Sequence, residues 1–158
     1  MTICENLTNC PEILLGKPSH PEFGHIRVER HPADINFDGV CAIHGACLEG
    51  LASGPSLHAR FGDPEKLVPD HLAWDIIAFY LAQACISLSL SFRPEVIILG
   101  GGVMGSRFLL PKVRAQYLEQ INNYLGQSAQ DVDALIVAPG LGGKAGLWGG
   151  VYLALGAQ

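Results

Sequence analysis

Val96-Ile97-Ile98-Leu99-Gly100-Gly101-Gly102-Val103-Met104-Gly105 is the stretch that decides the fold. Four consecutive apolar residues, three of them β-branched, follow Arg93-Pro94-Glu95 and run straight into glycine. The run is too short for a helix and lacks alternation, so residues 95–99 read as a strand buried on both faces. A helix is predicted from about residue 107 to 125. A second apolar strand at 135–138 runs into Pro139-Gly140-Leu141-Gly142-Gly143, and a small-residue-rich helix closes the chain at 146–155. Upstream, Trp74, Ile77, Ala78, Leu81, Ala84, Cys85 and Leu88 recur at three and four, which predicts a buried amphipathic helix stopped by Arg93-Pro94. Strands alternating with helices predict an α/β sheet covered on both faces.

The glycine clusters have two readings. At the carboxyl end of a buried strand, glycine lets backbone amides approach a ligand and adopt positive φ. A tight strand-to-helix turn uses glycine for steric reasons alone. A dinucleotide fingerprint, which joins Gly-x-Gly-x-x-Gly to a downstream acidic ribose ligand, is absent. Gly142-Gly143-Lys144 lacks the spacing and the following Ser or Thr of a P-loop.

Chemistry concentrates between residues 22 and 49. Glu22-Phe23-Gly24-His25 is followed, after a spacer, by Cys41-Ala42-Ile43-His44-Gly45-Ala46-Cys47-Leu48-Glu49. A Cys-x2-His-x2-Cys loop can wrap three corners of a zinc tetrahedron, with His25 as a candidate fourth. Two other readings stay open on spacing alone: ordinary core or surface residues, or a Cys41–Cys47 disulfide. The disulfide gives no role to His25 or His44. Around this segment, 24–30 alternates like a half-buried strand ended by His31-Pro32, and 33–47 reads as loop. Residues 48–61 read as two short helical pieces joined by a bend, and 62–64 as a turn.

The 158 residues are 49% hydrophobic and 16% charged, the balance of one domain with a substantial core. A net charge of −5 with scattered basic residues argues against a nucleic-acid partner. No uninterrupted apolar run reaches the ~18 residues of a membrane helix, because Gln83 and serines break 76–90. The first ten residues show no targeting pattern, so the expected location is cytoplasmic, with thiols reduced. Cys4, Cys10 and Cys85 are read as structural or incidental. His20, His31, His58 and His71 are read as surface or loop residues.

Taken together, Gly16-Lys17-Pro18-Ser19-His20-Pro21-Glu22-Phe23-Gly24-His25, the 41–55 stretch from Cys41 to Pro55, Ile97-Ile98-Leu99-Gly100-Gly101-Gly102-Val103-Met104 and Pro139-Gly140-Leu141-Gly142-Gly143-Lys144-Ala145-Gly146 resemble the ROK family (repressors, open reading frames and sugar kinases), in its bacterial fructokinase branch. The resemblance covers about nine-tenths of the chain and leaves 1–15 poorly matched. Many family members carry Cys-x-Cys-Gly-x-x-Gly-Cys at the metal site, whereas Cys-x2-His-x2-Cys looks like the fructokinase form. The resemblance implies that 16–158 is the carboxy-terminal lobe of a sugar kinase of actin-like (RNase H-like) ATPase fold, with a zinc loop at 41–47. It implies structural Zn2+ on His25, Cys41, His44 and Cys47, and sugar hydroxyls hydrogen-bonded by Glu22, His25 and Glu49. It further implies that an adenine nucleotide is lined by Pro55, Gly100, Gly101, Gly102, Val103 and Met104, with ATP and Mg2+ as co-substrates and a hexose, most naturally D-fructose, as acceptor.

The same resemblance marks what is expected to be absent. The family's amino-terminal lobe supplies an Asp-x-Gly-Gly-Thr-like phosphate loop, part of the Mg-ATP site and a general-base Asp, and no segment upstream of Glu22 resembles them. No catalytic residue is therefore assigned, and the chain is expected to be inactive alone. Two other readings are a zinc-containing sugar-binding module without catalysis and a non-functional fragment with an open strand edge. A repressor role fits least, since nothing resembles a winged helix-turn-helix. A homodimer through the helix near Trp74 and Phe79, or pairing with a separate amino-terminal lobe, stays open.

Overall fold

The computed structural model describes residues 22–156; the expectations for 1–15, Cys4, Cys10 and His20 lie outside the described residues. In chain order the elements are α1 (Leu48–Ala52), α2 (Gly54–Phe61), α3 (Leu72–Phe92), β1 (Ile97–Ile98), α4 (Leu109–Ile121), α5 (Ala129–Leu135), β2 (Ile136–Val137) and α6 (Ala145–Gly156), with short 3-10 turns between them. The class is α/β, as the sequence indicates.

Helix α3 is the axis of the core. His71 starts it, its Nδ1 accepting the Ala73 N–H, and Arg93 ends it in the left-handed region at φ 51°. Its largest contacts are with α4 and α1. Ile76, Ile77, Tyr80, Ala84, Cys85 and Leu88 are all buried, each large apolar side chain contributing about 1.5–3 kcal/mol. The expected single apolar stripe is too narrow a description, because Ile76 and Tyr80 fall outside it and are buried too, while Leu81 is only partly covered. By length and composition α3 would suffice to cross a membrane, which corrects the expectation from the interrupted run. Half of that window is buried inside the protein, as in a core helix. Trp74 is also interior, its Nε1 donating to the Val68 carbonyl at 3.0 Å, while Phe79 is partly buried.

The strands are shorter than predicted. β1 and β2 pair in parallel, Ile97 opposite Ile136 and Ile98 opposite Val137, and Leu99 N–H donates to the Val137 carbonyl. Ile97, Leu99 and Ile136 pack against the core, but Ile98 is 48% exposed. Among the described residues, the side of the sheet that carries Ile98 is thus left open, contrary to expectation. Helix α5 was not anticipated, although its start has a local signal: the Ser128 Oγ accepts from Asp131 N–H and the Asp131 carboxylate accepts from Ser128 N–H. α4 begins and ends inside its predicted span, because Asn122 and Asn123 take left-handed conformations.

The predicted strand at 24–30 is a 3-10 turn, Phe23–His25, followed by extended backbone with one bridge, Arg27 to Cys47. The alternation in burial is real, Ile26 and Val28 facing the core. Among the described residues no neighbouring strand makes a ladder there. The Gln83 side-chain amide takes part of that place, donating to the Glu29 carbonyl and accepting the Glu29 N–H at 2.7 Å. The bend between α1 and α2 is as expected: Ser53 caps α2 and Pro55 sits in its first turn. His31, expected as a plain loop residue, caps a 3-10 turn at Pro32–Asp34, as His71 caps α3.

Candidate functional site

Two glycines make the 41–47 loop possible. Gly45 takes φ +57° and closes a turn in which Cys41 and Gly45 exchange backbone hydrogen bonds. Gly50, inside α1, lets that turn lie on the helix: a Cβ there would stand 1.8 Å from the Gly45 carbonyl oxygen. Val40 N–H donates to the Gly50 carbonyl, and Leu48 N–H donates to the Ile26 carbonyl, tying the Phe23–His25 turn to the same helix start. The backbone therefore brings His25, Cys41, His44 and Cys47 together from two segments.

Their donor atoms all lie within 4.8 Å of one another. His25 Nδ1 is 3.3 Å from His44 Nδ1, 3.5 Å from Cys47 Sγ and 3.7 Å from Cys41 Sγ, and Cys41 Sγ is 3.9 Å from His44 Nδ1. A zinc tetrahedron with ordinary bond lengths has edges of about 3.3 Å between two nitrogens and about 3.6 Å between nitrogen and sulfur. Two nitrogens and two sulfurs at these separations fit that ion. The protein's fields prepare one sulfur for it: backbone N–H groups of His44 and Ile43 bring the Cys41 thiol down to about 6. Burial pushes the Cys47 thiol up. Cys85, deep under α3, is pushed up to about 12 by burial and is a protonated core residue.

The other edge of the His25 ring faces carboxylates. Nε2 lies 3.3 Å from Glu49 Oε2 and 3.7 Å from Glu22 Oε2. Nδ1 is turned to the ligand set, leaving Nε2 on the side of the carboxylates, the arrangement by which a second polar group fixes the orientation of a ligating imidazole. Both carboxylates are well exposed, so they offer acceptors to a polyhydroxylated ligand.

A buried network that sequence reasoning missed braces this corner. Arg60 Nη1 pairs with Asp34 Oδ2 at 2.5 Å, both side chains almost fully buried. Tyr80 OH donates to Asp34 at 2.8 Å, Arg60 also donates to the Leu51 carbonyl at the end of α1, and its guanidinium lies over the Phe37 ring. Arg30 donates to the carbonyls of Asp34 and Phe37. The loop leading to Cys41 is thus held to α2 and α3. Asp34 and Arg60 are 26 positions apart, and no local pattern links them.

The glycine turns form a second feature. A cleft of 790 Å³ runs between the α2 region and the turn after β1, lined by Gly54, Leu57, Trp74, Gly102, Val103 and Phe108 among others. Of the residues singled out for nucleotide, Gly102 and Val103 line it. Pro55, Gly100, Gly101 and Met104 flank the lining without forming part of it. Leu57, Trp74 and Phe108 supply apolar walls that the motif did not indicate.

The family model for the ROK family matches residues 9–157. The chain belongs to that family, whose actin-like ATPase fold agrees with the α/β architecture. It is 46% identical over 112 residues to a fructokinase of Lactococcus lactis subsp. cremoris, covering 70% of this chain and 39% of that protein. It is 43% identical over 150 residues to a fructokinase of Zymomonas mobilis subsp. mobilis, covering 90% and 49%. A Pediococcus pentosaceus fructokinase is 43% identical over 137 residues, covering 86% and 46%. The chain spans about half the length of the curated relatives it matches.

Proposed function

We propose that this chain is the sugar-holding, carboxy-terminal lobe of an ATP-dependent hexose kinase of fructokinase type, acting in the cytoplasm on D-fructose to give fructose 6-phosphate. His25, Cys41, His44 and Cys47 hold a structural Zn2+ that stiffens the loop. Glu22, His25 and Glu49 accept and donate hydrogen bonds to sugar hydroxyls, and such a polar site discriminates against sugars lacking them. The adenine nucleotide lies along the cleft beside Pro55 and the turn of Gly100, Gly101, Gly102, Val103 and Met104. The general base and phosphate clamp, with Mg2+, belong by the family resemblance to the part of the relatives that this chain does not match.

The observation that carries this reading is the His25 ring, with one nitrogen in a four-residue Cys/His cluster and the other beside two exposed carboxylates. A pure sugar-binding module is the second reading, favoured because these acceptors all come together within one short corner. Calorimetric titration of the purified chain with fructose, with and without ATP, tests both. Fructose binding lost in Glu49→Gln and strengthened by nucleotide supports the kinase lobe. Binding that ignores nucleotide supports the module, and fructose affinity unchanged in Glu49→Gln and His25→Ala would sink both.

A further inference from the structure

Two of the readings that spacing left open for Cys41 and Cys47, metal ligands and a disulfide, exclude each other at any one moment. A zinc tetrahedron holds two sulfurs about 3.8 Å apart, whereas a disulfide needs about 2.0 Å. The structure keeps both within reach. The donor atoms of the cluster, both Sγ included, lie within 4.8 Å of one another, and both thiols are free. The chain reverses at Gly45, whose N–H and carbonyl pair with the Cys41 backbone, and Cys47 follows two residues beyond that turn.

The pair is asymmetric. Cys47 is fully buried just ahead of α1, where its carbonyl accepts the Leu51 N–H and its backbone bridges to Arg27. Cys41 is partly exposed, beside a loop tip in which Ile43 is 80% exposed and His44 is exposed too. A small solute therefore reaches Cys41 before Cys47, and the tip can move while the Cys47 side is held by its helix. Among the described residues the other free thiol, Cys85, is fully buried within α3 and stands outside the cluster. It competes for neither step.

We infer that Cys41 and Cys47 form an oxidation site: hydrogen peroxide converts the two metal-holding thiolates into a disulfide, and the corner gives up its zinc. This rests on the reading above of the cluster as a zinc site. A coordinating thiol is deprotonated, and the thiolate is the nucleophile. The Cys41 sulfur attacks one peroxide oxygen, the O–O bond breaks and hydroxide leaves, giving a sulfenic acid. The Cys47 thiolate attacks that sulfur, the S–O bond breaks and a second hydroxide leaves as the S–S bond forms. The two thiolates lose two electrons and the peroxide gains them. His25 and His44 then remain as two donors where zinc takes four. The His25 ring thereby loses the anchor that holds its Nε2 beside Glu22 and Glu49. A thiol reductant restores the ligand pair.

The test treats the reduced, zinc-loaded full chain with hydrogen peroxide, follows released zinc with a chromogenic chelator and maps the thiols by mass spectrometry without reduction. Trypsin cuts after Arg30 and Arg60 and nowhere between, so Cys41 and Cys47 share one peptide, apart from Cys4, Cys10 and Cys85. The expected result is loss of the zinc in step with loss of two hydrogens from peptide 31–60, both reversed by dithiothreitol and fresh zinc. Dimedone, which traps sulfenic acid, should label Cys41 in Cys47→Ser and leave Cys47 unlabelled in Cys41→Ser. The inference is overturned if zinc leaves while peptide 31–60 keeps both thiols or only gains oxygen. It is equally overturned if the bridge runs to Cys4 or Cys10, if zinc stays bound in excess peroxide, or if dimedone labels both variants alike. A reduced chain that holds no zinc removes it together with the metal reading, before any peroxide is added. Zinc loss with the disulfide, but no fructose binding in either state, supports the oxidation site and removes the sugar reading.

Discussion

The corner around α1 and the end around α6 are both glycine-rich, yet their glycines behave oppositely. At Gly45 and Gly50 a side chain would strike backbone, 2.7 Å from the Asp38 carbonyl oxygen and 1.8 Å from that of Gly45. At Gly149 and Gly150 it would meet nothing. The first set is explained by contacts the chain makes with itself, and in its corner the loop is pinned and the candidate ligands converge. Among the described residues the second set has no such explanation, and apolar side chains of its helix are exposed.

The contrast can be broken by substitution. The largest effect is expected for Asp34→Ala, which strands the buried Arg60 charge. Loss of about 3–5 kcal/mol in a urea titration is the prediction, and a loss under 1 kcal/mol would mean the network does not brace the corner. Gly50→Ala comes next, at about 1–3 kcal/mol of destabilisation from overpacking, with reduced zinc retention on dialysis, although alanine is the better helix former. Its counterpart Gly150→Ala should instead stabilise the isolated chain by up to about 1 kcal/mol. Equal signs for the two would erase the distinction between the regions.

Smaller effects sharpen the account. Ser128→Ala should cost about 1 kcal/mol through the lost cap of α5. The Asp131 carboxyl is held below the usual aspartate range by the Ser128 hydroxyl and backbone N–H. Its folded value lies below its unfolded one, so its contribution is full above the ordinary aspartate range and is lost as pH falls through the depressed value. Asp131→Asn should therefore flatten the acid limb of a stability–pH profile. Leu153→Ala, on exposed α6, should stay within about 0.5 kcal/mol.

Much of this was legible in the sequence because it is local. Two apolar runs leading into glycine-rich turns located the two strands, and Gly54-Pro55 the bend. Cys-x2-His-x2-Cys with an upstream His gave four residues that do converge. What stayed hidden depends on partners distant in sequence. Gln83 looked like an interruption of an apolar run, but its amide satisfies the Glu29 backbone where a ladder was expected. Asp34 and Arg60 carry no signature of their mutual burial. The bareness of α6 was equally invisible, since an apolar, glycine-rich helix reads as buried whether or not its cover is present. Only α5 was missed despite a local sign, the Ser128-x-x-Asp131 box.

The most direct measurement is zinc K-edge X-ray absorption on the purified chain, with metal content determined on the same sample. The account predicts one zinc per chain with two sulfurs at about 2.3 Å and two imidazole nitrogens at about 2.0 Å, one nitrogen disappearing in His25→Ala. Absence of stoichiometric zinc, or a first shell unchanged by His25→Ala, would contradict it.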